Sequence, residues 1–322
     1  AANFSTCLLL CIAYAASIGG AATLIGTPTN AVLIGFLQDK IAEPYRMNMG
    51  MADWMMIGLP LSAIFLPATW LLMTRVLYPV TGLHLSGAAE LIRKQLRELG
   101  RVNRGEWTTF IVFVITSVAW ICRRWLQEMT LPLGEGYQPL AGLSDAGISM
   151  AAAIVLFVTP VNFKKMEFTL DWETARKAPW GIIILIGGGL SLANAVKQTG
   201  VAEFIGYQAT YFGGAPTIVL VLVVCTAVIL LTELTSNVAT TATLVPVLAA
   251  LAPGLGLHPY WLIFPATLAA SFAFMLPVAT PPNAIVFGSG QVTIAQMAKA
   301  GLWLNLIGIL VVTALTKLLI GP

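Results

Sequence analysis

Long runs almost free of charge recur along the chain, at 60–73, 107–121, 148–161 and 216–232. A helix of about 20 such residues crosses the hydrocarbon core of a bilayer, so these runs read as membrane spans. The pattern predicts seven crossings, near 4–37, 54–80, 106–125, 144–161, 180–198, 259–289 and 297–319. Two of them, 4–37 and 259–289, are too long for a simple helix and carry Pro and Gly near the middle. Proline removes a backbone donor and clashes with the preceding turn, so each is expected to be two half-helices joined by an unwound linker.

Residues 216–252 break the pattern differently. Two apolar runs flank TELTSNVATTAT (232–243), which is rich in hydroxyls and contains an Asn. A single helix fits the length, but a re-entrant hairpin with its tip near 235–238 suits the composition better. Non-helical backbone is tolerated at membrane depth only inside protein or against a cavity.

Composition supports the membrane reading. Of the 322 residues 58% are hydrophobic and only 10% charged, where a soluble domain carries about 25%; the mean hydropathy is +0.86. The net charge of +3 gives no footprint for nucleic acid. Cys7, Cys11, Cys122 and Cys225 lie in apolar runs without metal-like spacing and read as buried free thiols. His84 and His258 stand alone, and no Ser/His/Asp or His-Glu-x-x-His constellation suggests an enzyme. The opening AANFSTCLLLC has no basic n-region or cleavage motif and reads as part of something longer.

Charge placement orients the chain. With a cytoplasmic start, the inward loops 81–106, 161–178 and 290–299 hold ten basic residues and the outward segments six. The bias follows the positive-inside rule and puts the C-terminus outside. Within 84–104, Leu91, Ile92, Leu96 and Leu99 alternate with basic residues at helical spacing. This suits an amphipathic arm lying in the headgroups, with a specific lipid site as the second reading.

The chain also repeats itself. GTPTNAVLIG (26–35) and ATPPNAIVFG (279–288) share Thr27/Thr280, Pro28/Pro281, Asn30/Asn283, Ala31/Ala284 and Gly35/Gly288 in register. One copy lies on an outward-running span and the other on an inward-running one, so the repeat is expected to be inverted, with a site at its interface. The hairpin motif Thr235-Ser236-Asn237 precedes the second copy, and its counterpart for the first copy would fall before Ala1.

Such residues suit an anion carried together with cations. Asn amides, Thr hydroxyls and half-helix N-termini offer neutral donors without a fixed midplane charge. Unwound carbonyls with Ser, Thr and Asn oxygens suit a hard cation. Glu233, beside the hairpin motif, reads as a carboxylate hydrogen-bonded at the turn or as a titratable group of a proton-coupled carrier. Gly187-Gly188-Gly189 lacks the Lys-Ser/Thr of a phosphate loop and reads as close helix packing.

At these residues the sequence resembles the divalent anion:sodium symporter family. The matching stretches are ASIGGAATLIGTPTN (16–30), PWGIIILIGGGLSLANAVKQTG (179–200), TELTSNVATTAT (232–243) and SFAFMLPVATPPNAIVFGSG (271–290). The resemblance implies an all-α, inverted-repeat, elevator-type transporter with broken helices and re-entrant hairpins, usually a homodimer, in the bacterial inner membrane. Sodium would be the co-transported ion, with no organic cofactor.

Carried over by position, Thr232, Ser236, Asn237 and the Ala279 carbonyl would line one sodium site, and Gly26 would contribute to another. Asn237, Val238, Thr280 and Pro281, with Thr27 and Pro28 of the first copy, would face the substrate. Val238 departs from the family's Ser-Asn-Thr pattern and offers no hydroxyl; the family's first Ser-Asn-Thr motif is not in the chain.

The implied layout is a transport domain at 1–80 and 216–322, an interfacial arm at 81–105 and a scaffold at 106–215. The implied function is sodium-coupled symport of di- or tricarboxylates such as succinate, malate, fumarate or citrate. A sodium-independent exchanger, a sulfate carrier and a non-transporting remnant are the alternatives.

Overall fold

The structure is a computed structural model that describes residues 2–41, 43–80, 88–130, 138–162, 164–178 and 214–320, with scattered positions between 180 and 207. In chain order the helices are α1 (Ala2–Gly20), α2 (Pro28–Asp39), α3 (Met51–Leu71), α4 (Ala88–Glu98), α5 (Arg104–Ile121), α6 (Arg123–Glu128) and α7 (Asp145–Val158). A two-stranded antiparallel ribbon follows, β1 (Pro160–Asn162) and β2 (Glu167–Phe168). Then come α8 (Trp172–Ala175), α9 (Thr217–Leu234), α10 (Asn237–Gly254), α11 (Tyr260–Ala270), α12 (Pro281–Gly288) and α13 (Ile294–Ile320).

Both over-long apolar runs are broken, as their prolines and glycines required. The first yields α1 and α2 around a linker at 21–27, the second α11 and α12 around a linker at 271–280. The polar stretch at 232–243 divides α9 from α10 at Thr235 and Ser236, both extended. Each arm has 18 residues, about 27 Å of helix at 1.5 Å per residue.

Among the described residues, five helical segments are long and apolar enough to cross a membrane: Asn3–Gly20, Met51–Leu77, Thr217–Leu234, Asn237–Gly254 and Ile294–Ile320. The second of these runs from α3 through a π-helical turn at Leu72–Leu77. The crossing expected at 144–161 is a shorter helix of 14 residues. Ser144 caps its start by accepting the Gly147 amide, and Pro160 pushes Thr159 out of the helical region at its end. The crossing expected at 180–198 falls largely outside the described residues.

Contacts divide the chain into two compact units, one of Ala1–Met49, Asp53–Thr81 and Trp180–Pro322, the other of Gly50–Ala52 and Gly82–Pro179. In the second unit, Asn103 and Glu106 form a reciprocal capping box that starts α5. The buried Arg123 pairs with Asp145 at 3.0 Å, and Trp120 donates its indole N–H to the Asp145 carbonyl. Helix α4 exposes Ile92 and Leu96 together with Arg93, Lys94 and Arg97, and Leu99 is exposed just after it.

The first unit holds the larger core. Leu10, Tyr14, Ile18, Leu33, Leu37, Trp54 and Phe65 are fully enclosed, as are Phe272 and Phe274 from the second linker. Phe65 meets both linker rings edge-on, with centroids 5.1 and 5.9 Å away. Tyr14 meets Phe274 in the same way at 5.2 Å. The unwound backbone is thus pinned by burial of its own aromatic side chains.

Candidate functional site at the broken helices

The two breaks are built alike. Thr27 (φ −144°, ψ 143°) precedes α2, and Thr280 (φ −141°, ψ 150°) precedes α12. Pro28 opens the first helix, and Pro281 with Pro282 opens the second. Proline costs nothing there, because the first amides of a helix have no intrahelical partner.

Inside each break a buried asparagine closes the loop. Asn30 donates its amide to the carbonyls of Thr23 (2.9 Å) and Gly20 (3.4 Å). Asn283 donates to Leu276 and Ala273, both at 3.1 Å. The accepting carbonyls lie seven and ten residues upstream in both cases. Unwound carbonyls that lost their helical donors are therefore satisfied by a side chain, as burial requires.

The long helix after each of the short helices α2 and α12 presses a glycine onto the linker. A Cβ on Gly58 of α3 would come within 2.4 Å of the Ala21 carbonyl oxygen, and one on Gly301 of α13 within 2.3 Å of the Phe274 carbonyl oxygen. Ala21 and Phe274 are themselves in repeat register. Trp54 and Ser62 on α3 add bonds to the carbonyls of Ala21 and Ile18, both at 2.9 Å.

The gap between α9 and α10 lies against the second break. The Thr232 hydroxyl lies 2.6 Å from Asn237 Oδ1 and 3.1 Å from the Ala270 carbonyl oxygen, the last residue of α11. Three neutral oxygens thus converge at a helix break, a donor set that suits a hard cation. Thr235 and Thr240 join their hydroxyls across the same turn at 2.6 Å.

Glu233, the next residue along α9, is 4% exposed. Its carboxylate accepts the backbone N–H groups of Phe274 (2.8 Å), Met275 (2.9 and 3.1 Å) and Leu276 (3.1 Å), and the Asn305 amide at 2.7 Å. The reading of Glu233 as a hydrogen-bonded structural carboxylate fits this geometry: its lone pairs are committed to donors.

The two breaks meet. The Thr29 hydroxyl of α2 lies 2.8 Å from that of Ser271, which caps α11, and α10 packs on both α2 and α11.

Of the residues singled out from the sequence, Thr232 and Asn237 are brought into direct contact. Ser236 is the N-cap residue of α10 with an exposed side chain, and Val238 is half-buried beside it. Thr280 accepts its own cap bond from Asn283 N at 3.4 Å. Ala279 is buried, whereas Pro281 is exposed at the start of α12. Thr27 and Pro28 occupy the matching, half-buried positions of the first break. Gly26 is needed for packing, since a Cβ there would stand 2.3 Å from the Gly20 carbonyl oxygen. The sequence reading passed over Thr29, Ala270, Ser271 and Asn305. Asn305 left a trace: it is the lone amide in the apolar middle of α13.

In the turn between α10 and α11, partial desolvation lowers the His258 pKa from 6.5. This imidazole sits between α10 and α11 against the rings of Tyr45 and Tyr260.

Two broken helices, a helix pair parted at a hydroxyl-rich turn and several apolar spans define a multi-pass membrane protein with a polar centre. Residues 2–320 match the family described as the sodium:sulfate symporter transmembrane region, and the chain belongs to this divalent anion:sodium symporter family. Among curated relatives, the sodium-dependent dicarboxylate transporter SdcS of Staphylococcus saprophyticus is 39% identical over 321 residues, 99% of this chain and 60% of that protein. The SdcS of Staphylococcus aureus is 38% identical over 311 residues, 96% of this chain and 58% of that protein. The chain thus spans about three-fifths of the length of these relatives.

Proposed function

We propose that the chain forms the greater part of a sodium-coupled di- or tricarboxylate symporter, with substrates of the succinate, malate, fumarate and citrate class. The observation that carries this reading is the convergence of Thr232, Asn237 and the Ala270 carbonyl at the break between α9 and α10. The relatives named sodium-dependent dicarboxylate transporters support the choice of ion and substrate.

In this reading Thr232, Asn237 and Ala270 hold one sodium ion, with Ser236 and the Ala279 carbonyl completing its shell. Gly26 belongs to a second sodium site. The carboxylates of the substrate lie near Asn237, Val238, Thr280 and Pro281, with Thr27 and Pro28 opposite. The N-termini of α2, α10 and α12 favour anionic groups, and the bound cations offset the remaining charge.

The matched bonding of Asn30 and Asn283 supports an inverted repeat working by an elevator motion. The moving part would be 1–80 with 216–322, borne by a dimeric scaffold around 106–215, with 81–105 lying in the headgroups. The protein would reside in the bacterial inner membrane with its C-terminus outside. The family's sulfate members make sulfate the competing substrate.

Uptake of radiolabelled succinate into proteoliposomes, with and without an inward sodium gradient, tests the proposal. Uptake should depend on sodium and yield to excess malate more than to sulfate. Full uptake without sodium would refute the coupling.

A further inference from the structure

The bonds around Glu233 reach beyond the cation oxygens. A buried carboxylate costs several kcal/mol unless its lone pairs are filled, and here amides fill them in place of a cationic side chain. Three consecutive backbone N–H groups, of Phe274, Met275 and Leu276, converge on it as an anion nest. Such charge-assisted bonds are stronger than neutral ones.

Thr232 and Glu233 are neighbours on α9, and together they grip both ends of one short segment. Thr232 binds the carbonyl of Ala270, and Glu233 binds the amides four to six residues further on. A shift of the nest therefore carries the Ala270 oxygen away from Thr232 and Asn237.

Helix α13 sets the other side of the grip. Gly301 lets that helix touch the backbone of Phe274 and Met275. One turn later, on the same face, Asn305 sends its amide to Glu233 Oε1 at 2.7 Å. Asn305 is 3% exposed, and its own Oδ1 has no partner among the described residues. It is held there as a donor to the carboxylate alone.

We propose that Asn305 is a positioning residue for cation binding: through Glu233 it clamps the 274–276 amides, and the clamp holds the Ala270 carbonyl in the cation cluster. This rests on the sodium-coupled reading above.

Two variants of the transporter in its full natural length test this: Asn305→Ala and Glu233→Gln. Hydrogen exchange read by mass spectrometry should quicken about ten-fold or more at 274–276 in Asn305→Ala and Glu233→Gln, and stay unchanged at 21–27. Half-saturating sodium for succinate uptake should rise about ten-fold in both, while the succinate KM at saturating sodium changes less than about two-fold.

Unchanged exchange at 274–276 overturns the clamp. Faster exchange with an unchanged sodium requirement overturns its role in cation binding. Wild-type uptake that ignores sodium would instead count against the sodium-coupled reading, and the exchange measurement would still judge the clamp. Should Glu233→Gln fail to fold, Asn305→Ala alone decides, because it removes one donor and leaves the carboxylate and the three backbone N–H donors in the chain.

Discussion

Asn30 and Asn283 make the same two hydrogen bonds in two different breaks, each to the carbonyls seven and ten residues before it. Both amides are fully buried. The shared Thr-Pro-x-Asn spelling is therefore a device for ending one half-helix and starting the next. Threonine takes the extended cap position, proline starts the new helix, and asparagine supplies the donors that the unwound carbonyls lost.

Removing that device should destabilise each break separately. Asn283→Ala leaves the buried carbonyl of Ala273 and the partly buried carbonyl of Leu276 without their side-chain donor, at about 1–3 kcal/mol for a buried unsatisfied group. Asn30→Ala should cost less, since one of its two bonds is long at 3.4 Å. Thermal unfolding of the purified variants in detergent checks the order, and equal melting temperatures for all three proteins would contradict it.

Glycine is required where backbones nearly touch. Gly301→Ala would place a Cβ 2.3 Å from the Phe274 carbonyl oxygen, and Gly26→Ala a Cβ 2.3 Å from the Gly20 carbonyl oxygen. Neither obstacle is a flexible side chain, so the backbone must move. Gly142→Ala, with open space around it, should behave as wild type. Yield of monodisperse protein on size exclusion measures the contrast.

The oxygen cluster makes a functional prediction. Thr232→Val keeps the shape of the side chain and removes the oxygen that meets Asn237 and Ala270. Sodium-driven succinate uptake should fall by at least about ten-fold. Asn237→Ala should do the same. Normal uptake in both variants would remove these residues from the site.

His258 gives the pH dependence its sign. Its folded-state pKa lies below the unfolded 6.5 because partial desolvation disfavours the charged ring. The unfolded state therefore binds the proton more tightly, and the contribution to stability is present above pH 6.5. It declines as pH falls through the folded value. Thermal unfolding followed from neutral to acidic pH should show this loss in the wild type and less of it in His258→Phe, which keeps a ring between Tyr45 and Tyr260.

Much of this was written in the residue order. Apolar runs bounded by charge announce spans, because a bilayer accepts little else. Proline and glycine inside an over-long run announce a break, and two copies of one polar motif announce that the breaks are related. Ser144 and Pro160 also bound α7 in plain view, the one as a cap and the other as a stop, within the crossing expected at 144–161.

Partnership across the chain was not legible. Nothing near Glu233 says that it holds amides 41 to 43 residues away and meets Asn305, 72 residues away. Nor does Thr29 point to Ser271 across 242 residues. Local sequence dictates where a helix must stop, since that depends on each residue's own donors and sterics. Which distant group satisfies the freed amides and carbonyls depends on how the helices pack, and only the tertiary structure decides that.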